Sequence, residues 1–96
     1  MKTSNERGYQ MPSHSLKKAA QLAPIIERVH GEHHPELTRV REITQELQKT
    51  DNSARTSALF AELRAVTNNY AIPRGVCGGF EAAYQALEQS DREMAA

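Results

Sequence analysis

Five side chains able to bind a metal or move a proton crowd into residues 30–36: His30, Glu32, His33, His34 and Glu36. Imidazole nitrogens and carboxylate oxygens are the usual ligands of zinc, iron and nickel. Ligands on a helix share a face at spacing i, i+3 or i+4. His30 and His33 have that spacing, but Gly31 lies between them, and Pro35 separates His34 from Glu36. The same residues also read as a solvated corner whose polar groups satisfy two helix ends. Cys77 is the second chemical candidate. It falls where a helix begins, and a helix dipole lowers a thiol pKa. No histidine is near it in sequence to serve as a base, so it also reads as a small buried residue at a helix start. No Ser-His-Asp order or paired-carboxylate motif is present. Gly75-Val76-Cys77-Gly78-Gly79 lacks the lysine and the spacing of a phosphate-binding loop. The pattern assigns no catalytic residue.

These candidates must be positioned by helices. Gly31 suits a left-handed helix stop. Pro35 suits the first position of the next helix, and Glu36 faces the positive end of its dipole. Leu37, Val40, Ile43 and Leu47 then form one apolar stripe at helical period, over a helix of roughly 35–49. The residues before this corner should pack back on it as a helical hairpin. Upstream, Ser13 or Ser15 can cap a helix whose inner face is Leu16, Ala19, Ala20, Ala23, Ile26 and His30. Pro24 should kink or divide it. Asp51-Asn52-Ser53 starts a third helix, about 53–67, burying Leu59, Leu63 and Val66, with Ala58 and Phe60 on its flanks. A turn-rich loop, residues 70–75, leads to a last helix starting near Val76 or Cys77, with Phe80, Ala83, Tyr84 and Leu87 inward. Residues 1–13 read as a loose arm, 14–90 as the bundle, and 91–96 as a polar tail.

Composition bounds the rest. Ninety-six residues suffice for one small core. Alternating β-branched runs are absent, so the predicted fold is all-α, a small bundle of three to four helices. Twelve basic and twelve acidic residues interleave to a net charge of zero, which argues against a nucleic-acid surface. One cysteine excludes an internal disulfide and fits a reducing compartment. The amino-terminal residues lack the apolar core of a signal peptide, and no run could span a bilayer. A soluble, cytoplasmic protein without membrane partners is expected.

Two segments carry a family resemblance. Val29-His30-Gly31-Glu32-His33-His34-Pro35-Glu36-Leu37 resembles the inter-helix corner of the di-iron proteins that repair iron–sulfur clusters, which have a hemerythrin-like domain. Leu63 to Cys77, with Thr67-Asn68-Asn69, Pro73, Val76-Cys77, and then Phe80 and Tyr84, resembles that family's link into its last helix. The order is the family's, and the likeness covers roughly 16–90. It implies a four-helix bundle with a non-haem di-iron centre, restoring clusters damaged by nitric oxide or oxidants. Such a centre draws His and carboxylate ligands from all four helices.

Position by position, those ligands are missing. The first-helix His falls near Tyr9, with His14 off register. The stretch after Gln48 that carries a His and a Glu is deleted. The third-helix ligand position falls at Ser53, and the last His and Glu would follow Ala96. The expectation is therefore a shortened, truncated hemerythrin-like relative that binds or regulates in nitrosative or oxidative stress without iron. Its expected partner is a second copy, as a homodimer, or a full-length relative. Two alternatives stand beside it. One is metal-binding cluster repair by a rebuilt site of His30, His33, His34 and Glu36 holding iron, shared across a dimer whose symmetry doubles the ligands. The other is a decayed fragment without independent activity.

Overall fold

A computed structural model describes residues 14–94. Within them the chain forms four helices and no strand: α1 His14–His30, α2 Leu37–Lys49, α3 Ser53–Val66 and α4 Gly78–Met94. The all-α bundle read from the sequence is what the chain adopts. The proposed arm, with Tyr9 and Ser13, lies outside the described residues. Ser15 is inside α1 rather than capping it.

Helix α1 packs on both α2 and α4, and α2 packs on α3. The predicted hairpin between α1 and α2 is present. Glu27 of α1 accepts hydrogen bonds from Arg41 Nε at 2.6 Å and Thr38 Oγ1 at 2.9 Å. Leu37, Val40, Ile43 and Leu47 are all buried, as their spacing requires. Of the two outcomes expected at Pro24, a kink or a division, division does not occur: α1 runs its full 17 residues through it. Leu16, Ala19, Ala23 and Ile26 bracket the proline and are buried at 0–1% exposure. Their burial outweighs the one lost backbone hydrogen bond.

The corner at residues 31–36 is built differently from the sequence reading. Gly31 is not left-handed. Its N–H donates to the Glu27 carbonyl at 2.8 Å, and a Cβ there would collide with that same oxygen. Glycine is required by close approach instead of by φ. The left-handed residues lie after α3: Asn68, Asn69 and Tyr70 at φ 55°, 59° and 62°, then Gly75 at 77°. Three successive non-glycine residues in this region are costly, at about 1–2 kcal/mol each. Thr67 holds the turn. Its hydroxyl donates to the Leu63 carbonyl at 2.7 Å and accepts from the Tyr70 N–H at 2.9 Å.

Two further differences concern burial. Phe60, placed on a flank, is fully buried, and Ala58 is exposed. Residues 91–94, read as tail, belong to α4. Asp91 accepts Arg64 Nε at 2.7 Å and the Tyr70 hydroxyl at 2.8 Å, and Met94 packs on the core. Residues 95–96 lie outside the described range. No helix among the described residues is long and apolar enough to cross a membrane.

Candidate functional site

Because α1 and α4 run antiparallel, the last residue of α1 meets the first turn of α4. This places His30 Nε2 3.1 Å from Cys77 Sγ, across 47 positions of sequence. Cys77 precedes α4, and its carbonyl accepts the Glu81 N–H at 3.2 Å, so it occupies the helix N-cap. The thiol is exposed. Its pKa lies below the ordinary thiol value. The hydrogen bond with His30 is the main cause, followed by the Phe80 backbone N–H; the Gly79 N–H contributes less. Each of these groups favours sulfur as the thiolate. A histidine for Cys77, absent from its sequence neighbourhood, is supplied by the fold.

An aromatic string runs inward from this pair. The rings of His30 and His34 both stand edge-on to Phe80, with centroids at 5.3 and 5.2 Å. Phe80 in turn lies 4.7 Å from Tyr84, one helical turn further along α4. The spacing of Phe80 and Tyr84 marked them as inward-facing, but nothing in the sequence signalled their neighbours.

Of the four residues of the proposed rebuilt metal site, His30 and His34 stand edge to face with ring centroids 6.5 Å apart, but within one chain the four do not form a set that could hold an ion. His30 is directed at Cys77, while His34 Nδ1 pairs with Glu36 Oε2 at 3.2 Å. His33 is exposed, as is Glu32. Among the described residues no three His, Cys, Asp or Glu side chains converge in a set that could hold an ion. Within the described residues of one chain, the donors do not assemble the several convergent ligands and supporting partners of a di-iron centre. His14, exposed at the opposite end of α1, and Ser53, the exposed first residue of α3, are far along the bundle from this corner.

Beside the string is an open pocket of about 350 Å³ between the 31–36 corner and the strained turn after α3. His34, Glu36, Thr67 and Asn68 form its polar wall, and Tyr84 lines it. No protein-family model, curated protein or solved structure matches the chain.

Proposed function

We propose that this chain is a non-catalytic, regulatory relative of the iron–sulfur cluster repair proteins, responding to oxidants or nitric oxide through Cys77. The observation that carries the reading is the exposed thiol held against His30 at the start of α4. The stress context comes from the resemblance of residues 29–37 and 63–77. A reducing compartment, the cytoplasm, is where one unpaired cysteine would be kept as a thiol until an oxidant arrives.

The chemistry follows from the pair. His30 Nε2 lies within reach to take the Cys77 proton as the sulfur reacts, leaving a thiolate to attack. With a hydroperoxide, the thiolate attacks one peroxide oxygen. An S–O bond forms, the O–O bond breaks, and His30 returns its proton to the departing oxygen as water or alcohol. Sulfur is oxidised by two electrons to the sulfenic acid, and the peroxide is reduced by two. No iron takes part in this reading. The partner is a second copy or a full-length relative, and Ile25 and Val29, exposed one turn apart on α1, offer it an apolar contact.

The test is the pH dependence of Cys77 alkylation by iodoacetamide, with sulfenic acid trapping after hydroperoxide. The apparent thiol pKa should lie below the free-cysteine value of about 8.5. His30→Gln should return it toward that value and slow sulfenic acid formation. A wild-type thiol that titrates like free cysteine, unchanged by His30→Gln, would sink the proposal. Metal analysis of untagged protein checks the iron-free part: about two irons per chain would restore the repair reading. Light scattering, alone and mixed with a relative, reads the partner.

A further inference from the structure

The pocket beside the aromatic string has features of a ligand site that the Cys77 chemistry does not use. Tyr84 is 1% exposed, and its hydroxyl is the one buried side-chain polar atom among the described residues without a hydrogen-bond partner. A buried polar group left unpaired is costly, and native structures rarely leave one so. Burial first, and the Glu36 charge second, raise its pKa well above the ordinary phenol value, so it remains a donor in need of an acceptor. Thr67 and Asn68 also line it, and Asn68 is the first of the three successive left-handed residues of the turn after α3. Strain of this kind concentrates at binding sites.

We propose that this pocket binds a small organic ammonium compound carrying a carbonyl or hydroxyl oxygen beside its charge. The acceptor oxygen takes the Tyr84 hydroxyl. The ammonium group meets Glu36, the one lining residue with a full charge when histidine is neutral. His34, bonded through Nδ1 to that carboxylate, holds it in place. Val66, Ile72 and Pro73 supply apolar walls for a short carbon skeleton. The volume is at the small end of ligand pockets, which run from about 300 Å³ upward. An anion would face the Glu36 carboxylate and be repelled. The site is independent of Cys77.

The experiment is a titration of the ¹⁵N-labelled chain with glycinamide, followed by amide NMR shifts. Acetamide supplies the acceptor without the charge, and acetate supplies an anion. Saturable shifts should appear at residues 34, 36, 67, 68 and 84 with glycinamide. Tyr84→Phe and Glu36→Gln should each weaken binding about tenfold, the size of one lost charged or neutral hydrogen bond, while Cys77→Ser leaves it unchanged. Absence of saturable shifts overturns the proposal. So does equal binding of acetate or acetamide, or a Tyr84→Phe chain that binds as tightly as the wild type.

Discussion

At the scale of single residues, the chemistry rests on groups that meet only after folding. Cys77 and His30 are separated by 47 positions, and no local spacing rule could join them. Their meeting depends on the end of α1 packing beside the beginning of α4. Within the cluster at 30–36, His30 bonds to Cys77 and His34 to Glu36, while the two imidazole rings stay 6.5 Å apart. The unpaired Tyr84 hydroxyl gives a residue-scale prediction. Tyr84→Phe retains the ring and removes the unpaired group, so the unliganded chain should gain about 1 kcal/mol of stability. Urea denaturation measures this. A loss of stability would mean that the hydroxyl already has a partner in solution.

At the scale of elements, α2 was the most legible. Its stripe of Leu37, Val40, Ile43 and Leu47 buries as written, because charged residues fill the remaining face. Helix α3 was less so. Ala58, Ala61 and Ala65 face solvent, so polarity hardly distinguishes its two sides, and Phe60 was misplaced. In the turn after α3, nothing in the sequence marks three successive left-handed residues. Tertiary anchoring sets them: Tyr70 is pinned through its hydroxyl to Asp91, 21 positions away. Glycine adopts φ > 0 without the Cβ penalty. Asn69→Gly should therefore stabilise the bundle by about 0.5–1 kcal/mol, read as a raised thermal midpoint. An unchanged or lowered midpoint would show that the asparagine side chain relieves the strain locally.

Across the whole molecule, arginine–carboxylate forks tie helix to helix. Arg39 grips Glu62 at 2.6 and 2.7 Å, Arg55 grips Glu46 at 2.7 and 2.9 Å, and Arg64 grips Asp91 at 2.7 and 3.2 Å. The first two join α2 to α3, and the third joins α3 to α4. Partly exposed pairs add little net stability, but complementary forks disfavour the wrong neighbour. They also set a pH dependence. Hydrogen bonds from arginine are the main cause holding Glu27, Glu46 and Glu62 below the usual carboxyl range. Burial pulls Asp91 upward, yet the bonds from Arg64 and Tyr70, with the Arg64 charge, outweigh it and leave the carboxyl lowered. A carboxyl whose folded pKa is depressed contributes stability that is complete above its unfolded value, about 4, and lost as pH falls through the folded value. Urea midpoints should therefore be level between about pH 5 and 7 and fall below about pH 4. A midpoint that rises on acidification would show the forks to be absent in solution.

The pairing of α1 with α4 also has a consequence for biosynthesis. The first helix relies on the last for one of its two covers. Between His30 and Met94 the ribosome adds 64 residues, which takes about 3–13 s at typical elongation rates of roughly 5–20 residues per second. Throughout that interval α2 and α3 can begin to assemble, while the α4-facing side of α1 remains bare. Nascent chains are therefore most open to chaperone capture, and to association between neighbouring polysomes, before α4 emerges.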